Sequence, residues 1–422
     1  MTFLKFATIT VFLLSSVKGN WWTEYHESLK YFSQEELHKK HQEKTRPQGF
    51  QHEPFHCPDM TPSPTVPTSV EKVKAADIKV IAAFGDSLTT AIGANGSTVL
   101  EIPIEYRQVS WSIGGYGSYL DVITLANIVK LFNPNVLGPS PVATMNGHPT
   151  TIDETRFNFA VTGHNTLDLS GQTRDMIDTF KTYPGLNYKE DWKLLTILIG
   201  MNDICDYCKN KSLFSVDNFI HYMTENLEMM MQEVPRLIVN VVQILPMKAL
   251  REVAKPNIGC MLNKFFCSCL TRPEENSPEL QELLELNLEF QRRLEELLHS
   301  DRFFKEDFAV VLQPYLSYAK PPRLPDGKID TSFFTADCFH FTVKGHEELA
   351  KGLWNNMFEP EEKKTMIDSF SNPVELICPS QDHPYIYTRP QKERKVKSSA
   401  SCHQVLCTFL FLSTFLIMLV NE

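Results

Sequence analysis

The chain has 422 residues, of which 42% are hydrophobic and 22% are charged, and its formal net charge is −10. This composition is typical of a globular protein, with enough chain for one large domain or two ordinary ones. The negative balance argues against a nucleic-acid partner. Because the acidic residues are spread along the chain, a solvated surface accounts for them.

The chain begins with the features of a secretory signal peptide, which we place at residues 1–19. The positive charge of Lys5 precedes an apolar stretch from Phe6 to Val17, and the small residue Gly19 suits cleavage. This stretch is too short to span a bilayer comfortably. We therefore expect the protein to enter the secretory pathway.

Residues 20–69 are predicted to form an arm ahead of the main domain. The first part is polar with weak helical periodicity, and the four prolines between residues 58 and 67 disfavour a helix. Cys57 offers a point at which a disulfide would hold the arm to the rest of the protein.

Strands and helices alternate from residue 70 to about residue 380, which we predict to be one domain. Apolar runs rich in β-branched residues predict buried parallel strands at 78–84, 157–161, 194–200, 237–245 and 308–314. Helices are predicted at 119–132, 215–233, 278–299 and 343–357. This alternation predicts the α/β class, as a three-layer α/β/α sandwich around a mostly parallel sheet.

The C-terminal region carries a second membrane signal, because a polar and basic linker at 381–404 precedes an apolar tail at 405–420. As a helix the tail would cover about 24 Å, less than the roughly 30 Å of hydrocarbon in a bilayer. Its basic flank would lie outside the cell, against the positive-inside tendency. Small residues at 398–401 suit a GPI-anchor signal, so a GPI anchor and a short single-pass span both stay open. Either tether predicts a location at the extracellular face of the cell membrane.

Ten cysteines in a secreted chain indicate disulfides. Cys205 and Cys208 have the spacing of a metal or redox pair, but no second pair of ligands at zinc spacing accompanies them. We therefore predict a disulfide between these two cysteines from their proximity. Asn95 and Asn210 lie in acceptable N-glycosylation sequons.

Polar motifs occur at four places in the predicted α/β domain. Gly85-Asp86-Ser87 comes directly after the first strand, Gly163 follows the second, Asn202 follows the third, and Asp337-Cys338-Phe339-His340 precedes the last helix. Because the carboxyl ends of parallel strands share one edge of a sheet, we expect these motifs to converge there.

The residue types in these motifs suit nucleophilic attack by Ser87. Its hydroxyl needs a base, which His340 can supply, and Asp337 can hold the imidazole in the required tautomer. The backbone N–H groups of Ser87 and Gly163 and the side-chain amide of Asn202 can donate to an oxyanion. We predict that these five residues form a catalytic site.

In this order, the motifs resemble the SGNH (GDSL) hydrolase superfamily, whose name records the types of Ser87, Gly163, Asn202 and His340. The sequence around these motifs is similar to the membrane-associated phospholipase B family over one hydrolase repeat, from about residue 70 to about residue 378. The stretches that carry this similarity are 75–80, 84–89, 111–115, 157–161, 199–203 and 337–341.

The resemblance implies a flavodoxin-like sandwich and a serine hydrolase that uses neither a metal nor a cofactor. It implies acyl esters of glycerophospholipids and lysophospholipids as substrates. We predict that the protein meets them at a membrane surface and has no obligate protein partner. Two alternatives stay open. One is an esterase for non-lipid esters such as acetylated glycans, and the other is a catalytically silent surface binding protein with a hydrolase fold.

Overall fold

The computed structural model describes residues 51–253, 260 and 266–388. Its central sheet has four parallel strands, β1 (Ile78–Gly85), β4 (Trp192–Leu198), β5 (Leu237–Val242) and β7 (Phe308–Gln313), in that spatial order. A two-residue strand, β6 (Phe304–Lys305), pairs antiparallel with β7 at one edge. Strands β2 (Ile104–Glu105) and β3 (Thr144–Met145) form a separate antiparallel pair.

Nine α-helices accompany the sheet within the described residues. They are α1 (Ser87–Thr90), α2 (Leu125–Phe132), α3 (Ile152–Thr155), α4 (Leu169–Thr182), α5 (Met201–Asp206), α6 (Val216–Glu233), α7 (Ser268–Thr271), α8 (Pro278–Leu298) and α9 (Val343–Met357). Helices α4, α6 and α8 pack side by side, and α2 packs against α9. The mostly parallel sheet with flanking helices confirms the predicted three-layer α/β/α fold.

The four parallel strands are buried at every residue except Lys79. Strands covered on both faces need continuous apolar runs, which is why the sequence pattern predicts them. Helix α9 has the predicted bounds, and Ser215 and Ser277 cap α6 and α8 by accepting a backbone N–H. These caps explain why both helices begin where the sequence indicates.

The predicted strand at 157–161 is wrong as a regular strand. The segment lies along the edge of β1, where the backbone N–H groups of Phe159 and Val161 donate to the carbonyl oxygens of Ala83 and Gly85. The Gly85 N–H, which would continue this pairing, donates to the side chain of Gln172 instead. A ladder cannot continue where side chains take its hydrogen bonds.

One helix prediction also changes, and one long helix is additional to the predictions. The helix predicted at 119–132 begins only at Leu125, because Thr124 caps it by accepting the Asn127 N–H. Residues 118–121 form a turn closed by Ser118 and Asp121. Helix α4 was not predicted from the sequence.

The predicted Cys205–Cys208 disulfide is wrong. Cys205 pairs with Cys267 and Cys208 pairs with Cys269, with Cα atoms 4.4 Å and 5.5 Å apart. Helix α7 packs against α5, so each cysteine meets a partner about sixty residues away rather than its sequence neighbour.

Two further disulfides join distant segments: Cys57 bonds to Cys378 and Cys260 bonds to Cys338. The first holds the described end of the arm, as the sequence suggested, and buries Cys57.

Packed chain continues past residue 380, since Ile386 is buried and its N–H donates to the carbonyl oxygen of Val73. The predicted signal peptide, most of the arm and the apolar tail lie outside the described residues. Within the described ranges, every helix is too short or too polar to cross a bilayer.

Candidate active site

Ser87 stands at the turn from β1 into α1. Gly85 makes this turn possible, because its φ of +151° and its surroundings exclude a side chain. A Cβ there would lie 2.6 Å from both the Leu198 carbonyl oxygen and Thr89 Oγ1. Asp86 caps the helix, since its Oδ1 accepts the Leu88 N–H at 2.9 Å. The sequence therefore folds into a sharp turn that presents the Ser87 hydroxyl at the carboxyl edge of the sheet.

His340 and Asp337 meet Ser87 across 250 residues of chain. His340 Nε2 lies 2.8 Å from Ser87 Oγ, and His340 Nδ1 lies 2.7 Å from Asp337 Oδ2. Because an ionised carboxylate only accepts, Nδ1 carries the proton and Nε2 accepts from the serine hydroxyl. The three side chains thus form the hydrogen-bond chain that a nucleophilic serine requires.

Asp337 is held for this role by its own loop. Burial by itself raises the pKa of Asp337, but the interaction with His340 and the hydrogen bonds it accepts outweigh burial and lower the pKa to about 2. Its Oδ1 accepts from Thr335 Oγ1 and from the backbone N–H groups of Phe339 and His340. The carboxylate therefore stays ionised while it is fully buried.

A cleft that is open to solvent lies beside Ser87. Its lining is mainly apolar and comes from α1, α5, the segment after β5 and the loop of His340. The lining residues are Asp86, Ser87, Leu88, Met201, Asn202, Leu245, Met247, Leu250, Phe339 and Phe341. The Ser87 hydroxyl therefore faces a space suited to an apolar group.

The three predicted oxyanion donors lie around this edge. Asn202 lines the cleft, and one N–H of its amide donates to the His164 carbonyl oxygen at 2.7 Å, which leaves the second N–H for a ligand. Gly163 has a φ of +87° and an exposed backbone, and a Cβ added there would meet no atom within 4 Å. It is not among the residues that line the cleft. The Ser87 N–H belongs to the first turn of α1, where helix geometry provides no acceptor.

Three more titratable groups are buried near the site. Burial raises the pKa of Asp86 to about 6. Burial and the charge of Asp86 raise the pKa of Asp203 to about 7. Asp203 accepts the backbone N–H and the hydroxyl of Thr166. Burial, and then the charge of His340, lower the pKa of His346 to about 3. His346 lies in α9 and its Nδ1 accepts the Trp111 N–H, so this second histidine does not compete for Ser87.

Sequence reasoning missed three side chains that build the site. The amide of Gln172, in α4, accepts the Gly85 N–H and donates to the Gly85 carbonyl oxygen, both at 2.9 Å. Glu105 and Arg107 form a buried ion pair that contacts the segment before Gly163. Gln172 has no local signal, but two opposite charges two residues apart inside an apolar stretch could have indicated the pair.

The two predicted glycosylation sites differ in exposure. Asn210 is exposed and Asn95 is half-buried, and glycosylation of either stays a prediction. Across the part of the chain that the structure describes, no three His, Cys, Asp or Glu side chains are grouped to hold a metal ion.

The fold and this hydrogen-bond chain define the class of α/β serine hydrolases. The chain belongs to the GDSL-like lipase/acylhydrolase family, whose profile matches residues 81–353. It is 41% identical over 339 residues to human membrane-associated phospholipase B1, and 40% identical over 340 residues to the mouse protein. Each alignment covers 79% of this chain and 23% of the relative, so the chain spans about a quarter of the length of these relatives. The similarity agrees with the resemblance read from the motifs.

Solved structures give weaker matches. A putative GDSL-like lipase from Parabacteroides merdae has 14% identity and a TM-score of 0.33, over 67% of this chain and 95% of that one. An acetyl xylan esterase from Geobacillus stearothermophilus has 13% identity and a TM-score of 0.30, over 65% of this chain and 94% of that one. At these values neither match adds to the assignment.

Proposed function

We propose that this protein is a phospholipase B-type serine acyl hydrolase that cleaves acyl esters of glycerophospholipids and lysophospholipids. The observation that carries the proposal is the hydrogen-bond chain from Ser87 through His340 to Asp337, at the mouth of an apolar cleft. The relatives named membrane-associated phospholipase B1 support the same substrate class.

The proposed reaction has two halves. Ser87 Oγ attacks the ester carbonyl carbon while His340 Nε2 takes the hydroxyl proton. The oxyanion accepts hydrogen bonds from the N–H groups of Ser87 and Gly163 and from the free amide N–H of Asn202. As the carbonyl re-forms, the C–O bond to the glycerol oxygen breaks, and His340 returns the proton to that oxygen.

Water completes the reaction by attacking the acyl-enzyme. His340 takes a proton from the water, the second oxyanion collapses, and Ser87 Oγ leaves with that proton as a hydroxyl. The products are a fatty acid and a lysophospholipid, or a fatty acid and a glycerophosphodiester. No step in this scheme requires a metal or a cofactor, because His340 supplies every proton transfer, and two backbone N–H groups and the Asn202 amide supply the oxyanion contacts.

The cleft favours lipid acyl groups over small polar esters. Leu88, Met201, Leu245, Met247 and Leu250 contribute apolar surface that a fatty acyl chain can cover. Burial of each methylene of such a chain contributes about 0.8 kcal/mol to the free energy of binding, so long acyl groups bind this lining more tightly than short ones. The acetyl group of an acetylated glycan covers little of it.

The first test is release of fatty acid from phosphatidylcholine and lysophosphatidylcholine by the purified protein. Ser87→Ala should lower turnover by at least about 10³-fold, because no other group supplies the nucleophile. Ser112→Ala is the matched control, since Ser112 is also buried and its hydroxyl has no hydrogen-bond partner in the described structure. If Ser87→Ala keeps wild-type turnover, the nucleophile is wrongly assigned.

Two comparisons separate the alternatives. Rapid turnover of soluble acetyl esters without release of fatty acid from micelles would favour the non-lipid esterase. Failure of the wild-type protein to react with a serine-directed fluorophosphonate would favour the catalytically silent binding protein.

We also propose attachment at the extracellular face of the cell membrane, from the predicted signal peptide and apolar tail. Phosphatidylinositol-specific phospholipase C should release the protein from expressing cells if a GPI anchor holds it. Retention on the cells would favour the single-pass span.

A further inference from the structure

The segment that leads into Gly163 hydrogen-bonds to β1 through its backbone and is held as well by a buried ion pair. Arg107 Nη1 donates to the carbonyl oxygens of Asn158 and Ala160, at 3.2 Å and 3.0 Å. Arg107 also bonds to Glu105, with 2.7 Å between Nη2 and Oε2. The arginine therefore binds carbonyl oxygens of the segment that do not pair with β1.

The ion pair is almost completely removed from solvent. The Arg107 and Glu105 side chains are 5% and 4% exposed. Thr144, opposite Glu105 in the β2–β3 pair, donates its hydroxyl to Glu105 Oε2 at 2.8 Å. Burying two charges costs free energy that their attraction often fails to offset, so stability alone is a weak reason for such a pair. A defined geometry is the better reason.

A chain of hydroxyls extends this geometry to the nucleophile. Thr162, the residue before Gly163, donates its hydroxyl to Glu105 Oε1 at 2.7 Å. Thr162 Oγ1 in turn lies 2.8 Å from Thr90 Oγ1. Because the Thr162 hydroxyl proton is used in the hydrogen bond to Glu105, Thr90 is the donor in this contact. Thr90 belongs to α1, the helix that begins at Ser87. Because its one proton goes to Thr162, its 3.2 Å approach to the Ser87 carbonyl oxygen is a contact and not a second hydrogen bond. One hydrogen-bonded chain thus joins the Ser87 helix to the Gly163 loop.

We propose that Thr162, held by Glu105 and Arg107, is a positioning residue that sets the Gly163 N–H relative to Ser87 Oγ. This inference rests on the proposed function, because it requires Gly163 to donate to the oxyanion. Such a donor must lie within about 2.7–3.1 Å of the oxyanion, and an error of about 1 Å costs about 10²-fold in rate. Gly163 itself has the conformational freedom of an exposed glycine, so its neighbours must fix its place.

The test uses variants of Thr162 that differ by one hydroxyl. Thr162→Val keeps the shape and removes the hydrogen bonds, and Thr162→Ser keeps the hydroxyl. We expect Thr162→Val to lower kcat on a soluble p-nitrophenyl ester about 10- to 100-fold while KM changes less than threefold. Thr162→Ser should stay within about threefold of wild type. The rate of labelling by a fluorophosphonate, which places an oxygen in the same oxyanion site, should fall with kcat.

Thr173→Val is the matched control. Thr173 is fully buried, and its hydroxyl donates to Asn226 Oδ1 at 2.9 Å, away from the cleft. It should lose stability without loss of kcat. The inference is overturned if Thr162→Val labels and turns over like wild type, or if Thr162→Ser is as impaired as Thr162→Val. Neither result contradicts the proposed function. The proposed function is contradicted if the wild-type protein is labelled at Ser87 but releases no fatty acid from lipids.

Discussion

Replacing Asp337 by asparagine tests the carboxylate that holds His340. Asparagine can still accept with its oxygen from Thr335 Oγ1 and the two backbone N–H groups. Its NH₂ group would then face His340 Nδ1, which must give up its proton to accept. The proton moves to Nε2, where it points at Ser87 Oγ and blocks the base. An analogous replacement in a serine protease lowers kcat about 10⁴-fold, and we expect a loss of about 10³- to 10⁴-fold here.

The same change should lower stability by a separate, measurable amount. The pKa of Asp337 is lowered from 3.8 to about 2, so the ionised form stabilises the folded state by roughly 2 kcal/mol at pH 7. A lowered pKa in the folded state means that this contribution is complete above about pH 4 and is lost as pH falls toward 2. Asp337→Asn should therefore be less stable than wild type at pH 7, and the difference should shrink below pH 4.

The assay measures kcat on a soluble ester and the free energy of unfolding in denaturant, on the same preparations. Asp77→Asn is the control, because Asp77 is buried and accepts hydrogen bonds from Ser63 and Lys74 at the other end of β1, roughly 26 Å from Ser87. It should lose stability and keep kcat. If Asp337→Asn keeps kcat within tenfold of wild type, Asp337 does not orient the base.

Two further predictions concern acid stability and acyl-chain length. The pKa of His346 is lowered from 6.5 to about 3 in the folded protein. Between these two pH values the unfolded chain binds a proton at His346 and the folded protein does not, so the free energy of unfolding falls as the pH falls. His346→Gln should reduce the stability lost between pH 7 and pH 4 by on the order of 3 kcal/mol in denaturant unfolding, and an unchanged loss would contradict the assignment. Leu250→Trp should narrow the apolar cleft and lower turnover of long-chain lysophospholipids about tenfold relative to butyryl esters, as measured by product release. Equal effects on both chain lengths would place the acyl chain elsewhere.

The parts of the fold that sequence reasoning predicted share a local cause. Strands β1, β4, β5 and β7 are buried on both faces, so their apolar runs need no knowledge of the rest of the chain. The segment 157–161 has the same kind of run but forms only an isolated bridge to β1, because Gln172 takes the Gly85 N–H that would continue the ladder. Arg107, fifty residues upstream, holds two other backbone groups of the segment, the carbonyl oxygens of Asn158 and Ala160. Nothing within the segment reveals either partner.

The sequence by itself determined the order of strands and helices, the residue types at the carboxyl edge of the sheet, and hence a serine, a histidine and a carboxylate suited to acyl transfer. These are properties of short stretches, since periodicity, caps and turns depend on near neighbours. Only the tertiary structure decided which cysteines pair, where Gln172 meets Gly85, and how Glu105 reaches Thr162. The two hydrogen-bonded pairs are 87 and 57 positions apart in the chain, and the two cysteine pairs are 62 and 61 positions apart. How the helices and strands pack decides whether such distant residues meet. Separation along the chain does not measure distance in the folded protein, which is why Cys205 and Cys208 bond to Cys267 and Cys269, at the start of helix α7, and not to each other.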